Sequence, residues 1–88
     1  MNRAELLIKL QKENVPRDMY SLAGGFPYEA FCLGEKDGLW EVYYSERGRK
    51  TSLKTFMNEE EACQVFYDWI MPFVPEWYHG RSSENYMR

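Results

Sequence analysis

Between Gly38 and Phe56 the side chains alternate as a strand requires. Trp40, Val42 and Tyr44 fall on one face, and Leu39, Glu41, Tyr43 and Ser45 fall on the other. Arg47-Gly48 supplies a turn and residues 51–56 return, so the stretch predicts a β-hairpin. One face is expected to look inward. The other sets an aromatic ring between carboxylate and hydroxyl groups, which is poor core material and reads as contact surface.

The flanks switch to helical spacing. Residues 2–15 predict a first helix, with Asn2 as N-cap, Glu5 completing a capping box, and Leu6, Leu7 and Leu10 forming a narrow apolar stripe. Pro16 stops it, and residues 19–22 read as a short strand or irregular chain. Residues 28–33 predict a strand that is apolar on both sides, with Ala30 and Cys32 opposed to Phe31 and Leu33. Residues 34–38 are expected to close a hairpin into the Trp40 strand. Asn58 caps a second helix with Glu61 as its box partner, and Ala62, Cys63, Phe66, Tyr67 and Ile70 recur on its inward side. The fold class is therefore α+β: a three- to four-stranded antiparallel meander packed by an N-terminal and a C-terminal helix, in the order α-β-β-β-α. Residues 1–78 are assigned to one domain and residues 79–88 to a flexible tail. Within residues 71–78 rings alternate with prolines, which predicts an extended run that covers a sheet face or reaches a second subunit, so a homodimer stays open.

Composition narrows the function. At 88 residues the core must be efficient, because so short a chain buries roughly 60–65% of its unfolded surface. Rings make up 17% of the chain, more than such a core needs, so some Tyr and Trp are expected at an interface. The net charge of −3, from 14 acidic and 11 basic side chains, argues against a general nucleic-acid binder and suits a basic protein partner. Cys32 and Cys63 lack metal-type spacing and read as buried, reduced thiols of a cytoplasmic protein. The first residues lack an apolar leader core and no apolar run reaches the length of a membrane span, so neither export by its own signal nor membrane insertion is expected.

Candidate chemistry is sparse. His79 stands without partners at ligand spacing, so neither a metal nor another cofactor is expected. Both cysteines sit at packing positions rather than beside a base. Glu41 and Glu46 have opposite strand parity, which leaves paired-carboxylate catalysis unsupported. The Gly24-Gly25 loop lacks the Lys and the Ser or Thr of a phosphate-binding loop and reads as a tight connection. The acidic triplet Glu59, Glu60 and Glu61 is explained by the positive end of the second helix. Arg47, Arg49, Lys50 and Lys54 form the one basic cluster. With Trp and Tyr beside it, that hairpin offers an alternative reading as a small nucleic-acid-binding or regulatory module. The chain is not expected to be an enzyme.

Three stretches taken together, residues 20–29, residues 40–48 with their Tyr-Tyr-Ser-Glu-Arg-Gly run, and the Phe56 to Cys63 helix start, resemble small bacterial immunity proteins of polymorphic and contact-dependent toxin systems. The likeness spans roughly residues 4–70. It implies a small α+β protein that binds a cognate toxin, such as a nuclease, by covering its active site. Contact residues vary within such families, so none is carried over by position. From the residues themselves, the outer side and turns of the meander, Glu29, Asp37, Glu41, Tyr43 and Glu46, are the expected partner-binding surface.

Overall fold

Two helices and a four-stranded sheet make up the fold in a computed structural model that describes residues 1–75. The elements run α1 (Arg3–Lys12), β1 (Tyr20–Ser21), β2 (Ala30–Lys36), β3 (Leu39–Glu46), β4 (Arg49–Phe56) and α2 (Glu59–Ile70). Strand order follows chain order, β1-β2-β3-β4. The α+β class and the helix-strands-helix order agree with the sequence reading. The sheet is mixed, however: β2, β3 and β4 form an antiparallel meander, while β1 pairs parallel to β2 through Tyr20 with Phe31 and Ser21 with Cys32. The loop between β1 and β2 crosses back over the sheet, which brings the two strands together in the same direction.

Local chemistry fixes the turns and caps. Glu5 N–H donates to Asn2 Oδ1 at 2.8 Å and Asn2 N–H to Glu5 Oε1 at 2.9 Å, which is the expected capping box. At α2 Glu61 N–H donates to Asn58 Oδ1 at 2.7 Å. Nearby, the Glu59 carboxylate accepts from Arg3 N–H at 2.7 Å and ties the two helix starts together. The β2–β3 hairpin is tighter than the sequence suggests. Its turn is Asp37-Gly38 alone, at φ 55° and 81°, and Gly34, Glu35 and Lys36 continue β2. Such paired positive φ angles match strand twist in two-residue hairpins. Arg47-Gly48 repeats them at φ 53° and 72°.

Both helices pack on one face of the sheet. Leu6 and Leu10 of α1 and Ala62, Cys63, Phe66 and Ile70 of α2 are buried with Phe31, Leu33 and Val42. On β4 the register slips: Lys54 pairs with Val42 and Thr51 with Tyr44, so Ser52 and Leu53 together face Tyr43. Ser52 sits at φ 57° in this bulge. Past α2, Met71–Phe73 forms a 3-10 turn rather than the extended run expected there, because Pro72 fits an early helical position. The expected domain boundary at residues 78–79, His79 and the expected tail lie outside the described residues. Among the described residues no helix is long and apolar enough to cross a membrane.

Candidate functional site

The sheet face turned away from the helices is not an open surface. Residues 22–29 fold across it, held by side chains that the strand pattern presents outward. Tyr43 Oη donates to Gly25 O at 2.7 Å, Ser45 Oγ to Pro27 O at 2.7 Å and Ser21 Oγ to Gly24 O at 3.0 Å. Gly24 N–H donates to Leu33 O at 3.0 Å, which brings the loop backbone onto β2. Small side chains on the outward parity of β2, Ala30, Cys32 and Gly34, make room for it.

This arrangement corrects the expected contact surface. Tyr43 is only 1% exposed and cannot offer its ring to a partner. Its phenol is pushed up to about 12, chiefly by burial and then by Cys32 and Glu41. Glu41 is also buried, with Oε1 2.7 Å from Lys50 Nζ. The Lys50 ammonium lies 4.9 Å from the Tyr43 ring and 5.7 Å from that of Phe26, so the loop roofs the ion pair. Residues that look contradictory on an outer face, a tyrosine between carboxylate and hydroxyl, are internal fastenings of a covered face.

The other three expected contact residues remain at the surface but do not form one patch. Asp37 lies at the β2–β3 turn, whereas Glu29 and Glu46 lie at the opposite end of these strands. Ala30 pairs with Ser45, so Glu29 and Glu46 flank one rung of the ladder. Glu29 adopts φ 45°, an angle that non-glycine residues seldom take. Beside it Tyr28 is 83% exposed. Burial, followed by the charges of Glu29 and Glu46, raises the Tyr44 phenol above its ordinary value. The structure thus brings together Tyr28, Glu29, Tyr44 and Glu46.

The helix side of the same region was not anticipated from sequence. Phe31 meets Tyr44 at 5.1 Å, Trp69 at 4.8 Å and Phe73 at 5.3 Å between ring centroids. With Ser52 these rings line a cavity of about 350 Å³. The available signal was the parity of Phe31 and Tyr44, which places both on the face where α2 ends.

Of the basic hairpin, Lys50 is engaged by Glu41, while Arg47, Arg49 and Lys54 are exposed. Lys54 pairs with Val42 and Arg49 with Glu46, both on the helix-facing side of β3, whereas Lys50 pairs with Ser45 on the other side, so Lys50 does not share their surface. Cys32 and Cys63 are free and buried. Burial raises both thiols, that of Cys63 to about 11. Among the described residues no group of three or more His, Cys, Asp or Glu could hold a metal ion. The class these features define is an α+β domain with an acidic and aromatic sheet end. Compared with family models, curated proteins and solved structures, the chain matches none.

Proposed function

We propose that the chain is a non-catalytic binding protein of the immunity type, which neutralises a basic cytoplasmic toxin, such as a nuclease, by covering its active site. The observation that supports this reading most directly is the 83% exposed ring of Tyr28 set beside Glu29 and Glu46. An exposed ring gives a partner a large, stiff anchor, and the carboxylates supply steering toward a positively charged groove. The net charge of −3 acts in the same direction over longer range. Glu41 and Tyr43 have no contact role in this reading. The nucleic-acid alternative is weakened by the engagement of Lys50, which also stands on the opposite sheet face from Arg49 and Lys54.

Co-expression with the product of the adjacent gene tests the reading. The expected result is rescue of growth and copurification of a complex, both weakened by a Tyr28→Ala, Glu46→Lys double variant. A complex that forms equally well with that variant removes this surface from the proposal. Salt-sensitive retention on a single-stranded oligonucleotide, with no protein complex, would favour the alternative.

A further inference from the structure

Phe31 is the floor of a box. Its ring is 7% exposed, and Tyr44 and Trp69 stand against it at 76° and 77°, with Phe73 tilted at 43°. Tyr44 and Trp69 are half-buried and Phe73 is 60% exposed, so the box opens to the surface. Three features locate it at the acidic sheet end. Phe31 and Tyr44 are cross-strand partners. Glu46 lies two residues beyond Tyr44 on the same strand face. Glu29 lies two residues before Phe31. Among the described residues neither carboxylate has a lysine or arginine within ion-pair distance, although Arg49 is opposite Glu46 in the ladder.

Resting on the docking surface proposed above, we propose that this aromatic box receives an organic cation, presented as an ammonium or guanidinium side chain of the basic partner. The faces of aromatic rings carry partial negative charge, and rings that enclose a cation from several sides bind it better than they bind a neutral group of equal shape. Carboxylates at the rim add attraction without entering the box. A neutral apolar occupant would fill the same volume but leave Glu29 and Glu46 uncompensated, so the rim selects the charge. Burial first, and then the charges of Glu29 and Glu46, raise the Tyr44 phenol, so both carboxylates are felt at the wall of the box.

The test uses a small probe and the full chain, so it does not depend on the partner. Choline is titrated against 3,3-dimethyl-1-butanol, which has the same shape without the charge, while the Trp69 indole N–H is followed by NMR and assigned with Trp69→Phe. Choline is expected to shift that signal saturably, with the alcohol at least about tenfold weaker. Phe73→Ala, at an exposed ring, should abolish the shift while the remaining spectrum stays dispersed. Equal affinity for the alcohol, or no shift with choline, overturns the proposal. Choline binding without any partner complex would refute the docking reading and leave the box intact. A partner complex whose affinity ignores Phe73→Ala would refute the box alone.

Discussion

Gly24 and Gly34 meet backbone to backbone: a Cβ placed on Gly34 would lie 2.9 Å from Gly24 Cα. The obstacle is main chain held by the Gly24 N–H to Leu33 O bond, so it cannot rotate aside as a side chain would. Gly34→Ala should therefore lift residues 22–29 off the sheet and cost roughly 1–3 kcal/mol, the usual range for overpacking. Urea unfolding measures the loss, and faster hydrogen exchange at Gly24 locates it. Gly25→Ala meets nothing within 4 Å but must hold φ 83°, so its cost should be smaller, about 1–2 kcal/mol, from backbone strain alone.

The Tyr43 phenol gives the fold an alkaline limit. Its pKa is raised from 10.0 to about 12 in the folded chain, so the native state keeps a proton that the unfolded state releases near pH 10. The unfolded state then binds fewer protons, and stability must fall as pH rises. The contribution is complete below about pH 10 and is lost as pH climbs through about 12. Unfolding midpoints in urea at pH 8, 10 and 11 should decline. Tyr43→Phe should lose about 1 kcal/mol at pH 8 with its bond to Gly25 O, and should decline less steeply above pH 10.

Cutting the Glu41–Lys50 pair should be asymmetric. Both side chains are largely covered, at 11% and 21% exposed. Lys50→Met leaves a carboxylate under the loop with no counter-charge. Glu41→Gln leaves an ammonium that still faces the rings of Tyr43 and Phe26. The lysine substitution is expected to cost more, roughly 2–4 kcal/mol, somewhat below the figure for a fully buried pair. Lys54→Met, at an exposed position, should stay within about 0.5 kcal/mol. Thermal or urea unfolding of the three variants ranks them directly.

The residues explain which parts of this fold were legible in the sequence. Both helices, both N-caps and the hairpin strands follow from spacing and short-range chemistry, which need no knowledge of distant contacts. The parallel pairing of Tyr20 with Phe31 does not, because a two-residue strand carries no period of its own. The site was misread for a related reason. Alternation correctly separated Tyr43 and Ser45 from Val42 and Tyr44, but alternation does not say what lies above a face. Tyr43 and Ser45 become buried only because residues 22–29 return across them, a contact 18 residues away in sequence. The paired glycines that permit it were visible, yet nothing local indicated which strand they would touch. Phe31, Trp69 and Phe73 were missed as a group because they stand on β2, on α2 and just past its end, and no local spacing joins them.

Substitution of Tyr28 lets the proposed binding role be tested apart from folding. Its ring is 83% exposed, so Tyr28→Ala should leave stability within about 0.5 kcal/mol, whereas truncation of buried Tyr43 should cost about 3–5 kcal/mol. Anchoring rings at interface centres cost 2 kcal/mol or more when removed, which corresponds to an affinity loss of about thirtyfold. A titration of wild type and Tyr28→Ala against the copurified partner, with unfolding curves for both proteins, tests the two halves together. Retained stability with a loss of that order makes Tyr28 an anchor. Retained stability with unchanged affinity leaves it a solvated ring, and the apolar centre of the acidic sheet end must then be sought in the rings around Phe31.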